Sequence, residues 1–118
     1  MSDIHHRLIM NASREQVFAA VTDAIVARAH GVGALVRTLA FDRDARAVWS
    51  CVDGPAGWAG TEISIELTGE GDETVLRFTH GNWQGKTDVL ASWATRWARL
   101  LLGLESFVRI PEPEDTRV

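Results

Sequence analysis

The stretch DVLASWATRWARLLLGLESFVR, Asp88 to Arg109, decides how the rest of the chain is read. Leu90, Trp93, Trp97, Leu101, Leu104 and Val108 recur at three- and four-residue spacing, which places them on one stripe of a helix about 30 Å long. Ser92, Arg96, Arg99 and Ser106 fall on the opposite side. A helix of that length with two Trp on its apolar stripe needs a broad hydrophobic surface to lie on. The preceding chain supplies one as short strands.

Working outward, Gly81 to Gly85 leads into the helix as a loop, with Thr87 or Asp88 placed to cap it. Pro111 stops the helix. Residues 111–118 carry Glu112, Glu114 and Asp115 with little to bury, and are expected to be a disordered tail after a single domain spanning 1–110. Upstream, Thr61 to Thr68 alternates Ile63, Ile65 and Leu67 against Glu62, Ser64 and Glu66. Thr74 to His80 returns with Leu76, Phe78 and His80 on one face, and the two form a hairpin. Asp53 to Gly60 is too rich in Gly and Pro for regular structure, so Trp58 sits in a loop, folded back or exposed at its tip.

Ala34 to Phe41 and Arg46 to Val52 form a second hairpin around Asp42 and Asp44. Leu35, Leu39 and Phe41 share the face of Arg37, and Trp49 that of Cys51. Ser13 and Gln16 have capping-box spacing and start a helix through Val17, Val21 and Ile25, with a weak point at Val21 to Asp23 and Gly31 placed to end it. Ile4 to Met10 is a strand whose inward set is Ile4, His6, Leu8 and Met10. The order β-α-β-β-β-β-α makes an α+β layer fold.

At 118 residues and 46% hydrophobic, the chain suits one domain with one core. Its net charge of −4, with 12 Lys and Arg in all, argues against a nucleic-acid partner. MSDIHHRL lacks an apolar signal core and no run approaches a membrane span, so a cytoplasmic protein with no membrane partner is the expectation. Cys51, the lone cysteine, rules out an internal disulfide, and no Asp, Glu or Cys stands at ligand spacing beside His6 or His80. No metal and no cofactor are expected.

Val48 to Pro55, then Trp58, then Gly60 to Ile63, then Phe78 to Trp83, then Trp97-Ala98-Arg99 and Leu104 closely resemble homologues of the activator of heat-shock protein 90 ATPase, members of the START-like (SRPBCC) superfamily. Ile9, Ala12, Ser13, Val17 and Val21 resemble the family's opening strand and helix. The resemblance implies a helix-grip fold, an antiparallel sheet curled around the C-terminal helix. The family usually places a short helix and two further strands before the segment matching Ala34 to Phe41. Ala24 to Gly33 is too short for them, so the sheet should shrink to about five strands.

The polar residues assigned to the inner surface, His6, Arg37, Cys51 and His80, join Trp49, Phe78, Trp93 and Trp97 as candidate ligand-binding residues. The bland alternative is that each polar group is paired with backbone or water or emerges at a strand end. Trp58 and Trp83, on loops, are candidates to rim an opening or a partner surface. Three functions are expected in order: a non-catalytic domain binding a small hydrophobic ligand between sheet and C-terminal helix; a protein-interaction or chaperone-regulating module; and an enzyme of the polyketide cyclase or dehydratase kind, which lacks an identifiable acid-base pair. The missing strands leave bare sheet edges and less cover over Trp49 and Phe41, which implies a homodimer.

Overall fold

The computed structural model describes residues 2–83 and 87–107. β1 (Ser2–Met10) is followed by α1 (Arg14–Gly31), then β2 (Leu35–Asp42), β3 (Arg46–Asp53), β4 (Glu62–Glu70), β5 (Glu73–Trp83) and α2 (Thr87–Phe107). The strands form one five-stranded sheet in the order β1-β5-β4-β3-β2, every neighbouring pair antiparallel. This is an α+β helix-grip arrangement, with the first strand beside the last and β1 and β2 at the edges. Val108 and the expected tail lie outside the described residues, and Thr87 and Asp88, expected to cap α2, are instead its first two helical residues.

The capping box forms as the spacing requires. The Gln16 backbone N–H donates to Ser13 Oγ at 3.2 Å, and the Ser13 N–H donates to the Gln16 side chain at 3.1 Å. The expected break near Val21 does not occur: α1 is one helix, with Val21 fully buried and the Thr22 hydroxyl donating to the Phe18 carbonyl at 2.7 Å. The helix ends at Gly31, but the left-handed turn expected at that glycine falls two residues later. Gly33 takes the left-handed conformation (φ 77°), while Ala34 N–H reaches Ala29 O at 2.8 Å and Gly33 N–H reaches His30 O at 3.1 Å. Those two bonds make a Schellman motif.

The core lies between the inner face of the sheet and the two helices, built from Ile4, Met10, Val17, Val21, Ile25, Ile63, Ile65, Leu76, Phe78, Trp97 and Leu101 among others. Trp93, Trp97 and Leu101 of α2 are buried, whereas Ser92, Arg96 and Arg99 are exposed, as the stripe requires. β2 departs from the pattern expected of it. Its pairing with β3 slips between Thr38 and Ala40, leaving Leu39 as an extra residue. One inserted residue flips the parity of every later residue in the strand. Before Leu39, Val36 and Thr38 oppose the inward Cys51 and Trp49 while Arg37 opposes Ser50 and is exposed on the far face; after it, Phe41 opposes the inward Ala47 and no longer shares a face with Arg37. Leu35, Leu39 and Phe41 are 59%, 52% and 55% exposed, and Trp49 is buried rather than uncovered.

Candidate functional site

Among the described residues, side chains of the protein itself occupy the space beneath α2 where the sequence places a ligand. Trp58, on the loop after β3, folds back and is completely buried. Its ring sits edge-on to His80 at 4.8 Å and to Trp93 at 4.9 Å, with Trp97 at 6.1 Å and Trp83 at 6.5 Å. The loop is pinned to β3: Gly60 N–H donates to Cys51 O and Cys51 N–H to Thr61 O, both at 2.9 Å. Gly57 lets the loop pass against Trp83. Its φ is +88°, and a Cβ there would lie 2.9 Å from the Trp83 ring.

Trp83 also is not on a loop. β5 continues three residues past His80 and carries Trp83 buried at its end. Neither Trp58 nor Trp83 rims an opening, and both indole N–H groups are buried with no hydrogen-bond partner among the described residues.

His80 stands at the centre of this aromatic cluster and is itself fully buried. The Trp97 indole N–H donates to His80 Nδ1 at 3.0 Å. An indole nitrogen only donates, so Nδ1 must be the bare nitrogen and Nε2 carries the proton. Nε2 then donates to Thr61 Oγ1 at 2.8 Å, and the Thr61 hydroxyl donates onward to the Trp58 carbonyl at 2.6 Å. A continuous chain of bonds runs from α2 through β5 and the residue before β4 to the loop. Both ring nitrogens are occupied, and burial pushes the imidazole down to about 3, so it is neutral at ordinary pH.

Cys51 Sγ lies 4.0 Å from His80 Nε2, so the fold makes a cysteine–histidine neighbourhood that the sequence did not display. Burial pushes the Cys51 thiol up; a hydrogen bond to Thr61 pulls it down and nearby Glu62 adds to the rise. A thiolate–imidazolium pair needs the opposite shifts on both partners. These two groups are chemically quiet.

The remaining candidates separate. Phe78 packs on Trp97 at 4.8 Å between ring centres, within the cluster. His6 is half-buried, stacks on Phe78 at 6.2 Å and bonds through Nε2 to Ala94 O of α2 at 2.9 Å. Trp93 is buried beneath the Arg96 guanidinium, 4.6 Å from its ring centre. Trp49 is in the core. Arg37 does not reach the interior, because it lies on the other face of the sheet. Thr61 was missed, although its parity with Ile63, Ile65 and Leu67 signals an inward side chain. No group of three potential metal ligands occurs among the described residues, and no helix there is long and apolar enough to cross a membrane.

No family model and no curated protein matches the chain. Solved structures do. The Aha1 dimer of Colwellia psychrerythraea is 28% identical with a TM-score of 0.77, over 93% of this chain and 98% of that one. CalU16 of Micromonospora echinospora is 20% identical with a TM-score of 0.68, over 98% of this chain and 79% of that one. DynU16, from the dynemicin biosynthetic locus, is 15% identical with a TM-score of 0.66, over 91% of this chain and 47% of that one. At those lower identities the last two speak for the fold alone.

Proposed function

Taking the chain as an Aha1-like domain of the START-like (SRPBCC) fold, we propose that it is a non-catalytic association module that pairs with a second copy of itself through the β2 edge. The observation that carries this reading is β2. It is an edge strand with unpaired backbone, and Leu35, Leu39 and Phe41 all stand more than half exposed along it. Its only charge between Leu35 and Phe41 is Arg37, and it contains no Pro, which is weak protection against pairing with another chain. α1 meets it at Phe41, through an edge-on contact with Phe18 at 5.1 Å. The similar Colwellia protein is a dimer. A chaperone as a further partner rests on the family resemblance.

Light scattering coupled to size exclusion at micromolar concentration tests the reading. The expected mass is twice the 13.0 kDa of one chain, falling to a single chain on Leu39→Lys. A wild-type monomer overturns it.

A small hydrophobic ligand is the second reading. It is favoured by the two indole N–H groups of Trp58 and Trp83, partnerless among the described residues, which sit among Cys51, Phe78, His80, Trp93 and Trp97. Binding there requires Trp58 to leave its seat. The cyclase or dehydratase reading finds no support in the buried, neutral Cys51 and His80.

A further inference from the structure

The outer face of the sheet, away from both helices, carries a second feature independent of the β2 edge and of the Trp58 cluster. Strand register sets four charged residues in one row across β1, β5, β4 and β3: Arg7 opposes Arg77, Arg77 opposes Glu66, and Glu66 opposes Arg46. The adjoining row places His5 opposite Thr79 and Thr79 opposite Ser64. Both rows line an open hollow of about 460 Å³.

Like charges directly across a pair of strands destabilise the sheet, so the Arg7–Arg77 pairing works against folding. The chain has 16 acidic residues against 12 basic ones, yet three arginines face this one hollow. Among the described residues the one ion pair within 4 Å is His5 with Asp3, at 3.7 Å, and the three guanidiniums have none. The row carries a local excess of two positive charges on a chain whose net charge is −4.

We propose that this hollow is a binding site for a small phosphorylated molecule, whose phosphate dianion sits between the adjacent Arg7 and Arg77, with Glu66 separating that pair from Arg46 in the row. A carboxylate is filled by one guanidinium fork, whereas a phosphate offers acceptor oxygens to several at once. The hydroxyls of Ser64 and Thr79 add neutral donors beside it. The volume is that of a small-molecule pocket, and one row of three arginines is too short to track a nucleic-acid backbone.

The test uses the full chain at low ionic strength, titrated with inorganic phosphate and with pyrophosphate while backbone amide shifts are followed by NMR. Saturable shifts confined to β1, β3, β4 and β5 are expected, with affinity at least tenfold weaker in Arg77→Gln and unchanged in Arg99→Gln, an exposed arginine of α2. Without ligand, Arg7→Gln should melt at or above the wild-type temperature, since it removes the repulsion from Arg77 and leaves Arg77 opposite Glu66. Arg7→Gln serves as the second variant should Arg77→Gln fail to fold. Equal effects of an ionic-strength-matched chloride titration, or equal binding by the β-sheet and Arg99 variants, would overturn the site. So would phosphate binding seen only after truncation beyond Ile110, since the hollow would then be the seat of the chain's own acidic end.

Discussion

Trp97 donates its indole N–H to His80 Nδ1 across 3.0 Å, and that bond fixes the tautomer of a histidine with no exposed surface. His80 is therefore held neutral in the folded state, with its pKa pushed down to about 3, while in the unfolded chain it titrates near its ordinary value of 6.5. Between those values the unfolded state binds the additional proton. Stability from this group is complete above pH 6.5 and is lost as the pH falls toward 3, at a slope of up to about 1.4 kcal/mol per pH unit. Urea melts at about pH 7 and about pH 4.5, on either side of the ordinary histidine range, measure it. In His80→Gln the difference between the two conditions should shrink by up to about 2.7 kcal/mol, two pH units at that slope, and an unchanged difference would mean that another group carries the acid sensitivity.

Trp97 is fully buried and touches Trp58, Phe78 and His80. Truncation to Ala removes that packing and leaves His80 Nδ1 without its donor, so a loss of about 3 to 5 kcal/mol is expected. Urea denaturation decides it. A midpoint equal to wild type would remove α2 from its place at the centre of the core.

Trp58→Ala should leave a hole of indole shape lined by His80, Trp83, Trp93 and Trp97. Free indole should then raise the melting temperature of the variant and not that of the wild type, because apolar cavities of this kind accept matching molecules. The wild type is also the arbiter of the ligand reading. A thermal shift from a panel of hydrophobic compounds would show that Trp58 is displaceable, and none is expected.

Gly103 lies in α2 with nothing within 4 Å of where its Cβ would be. No close approach requires a glycine there, so Gly103→Ala should stabilise by up to about 1 kcal/mol through helix propensity alone. Thermal melts of the two proteins give the answer directly, and a lower melting temperature for the alanine variant would contradict it.

Local pattern was enough for the element order, the capping box at Ser13, the inward faces of β1, β4 and β5 and the apolar stripe of α2. Each of these arises from a backbone repeat of about two or 3.6 residues acting on neighbouring side chains. The five-stranded sheet and its bare edges were also legible, since the short Ala24 to Gly33 connection had no room for more. Only the tertiary structure decided three other things. The extra residue at Leu39 put Arg37 and Phe41 on opposite faces, with Arg37 outward, because sheet parity depends on a register that pairing with β3 imposes. Trp58 filled the interior, because a glycine-rich loop has no period of its own and takes its place from contacts with β5 and α2. His80, Thr61 and Cys51 became neighbours, and Arg7, Arg77 and Arg46 fell into one row, because residues distant along the chain meet only once the strands are laid side by side.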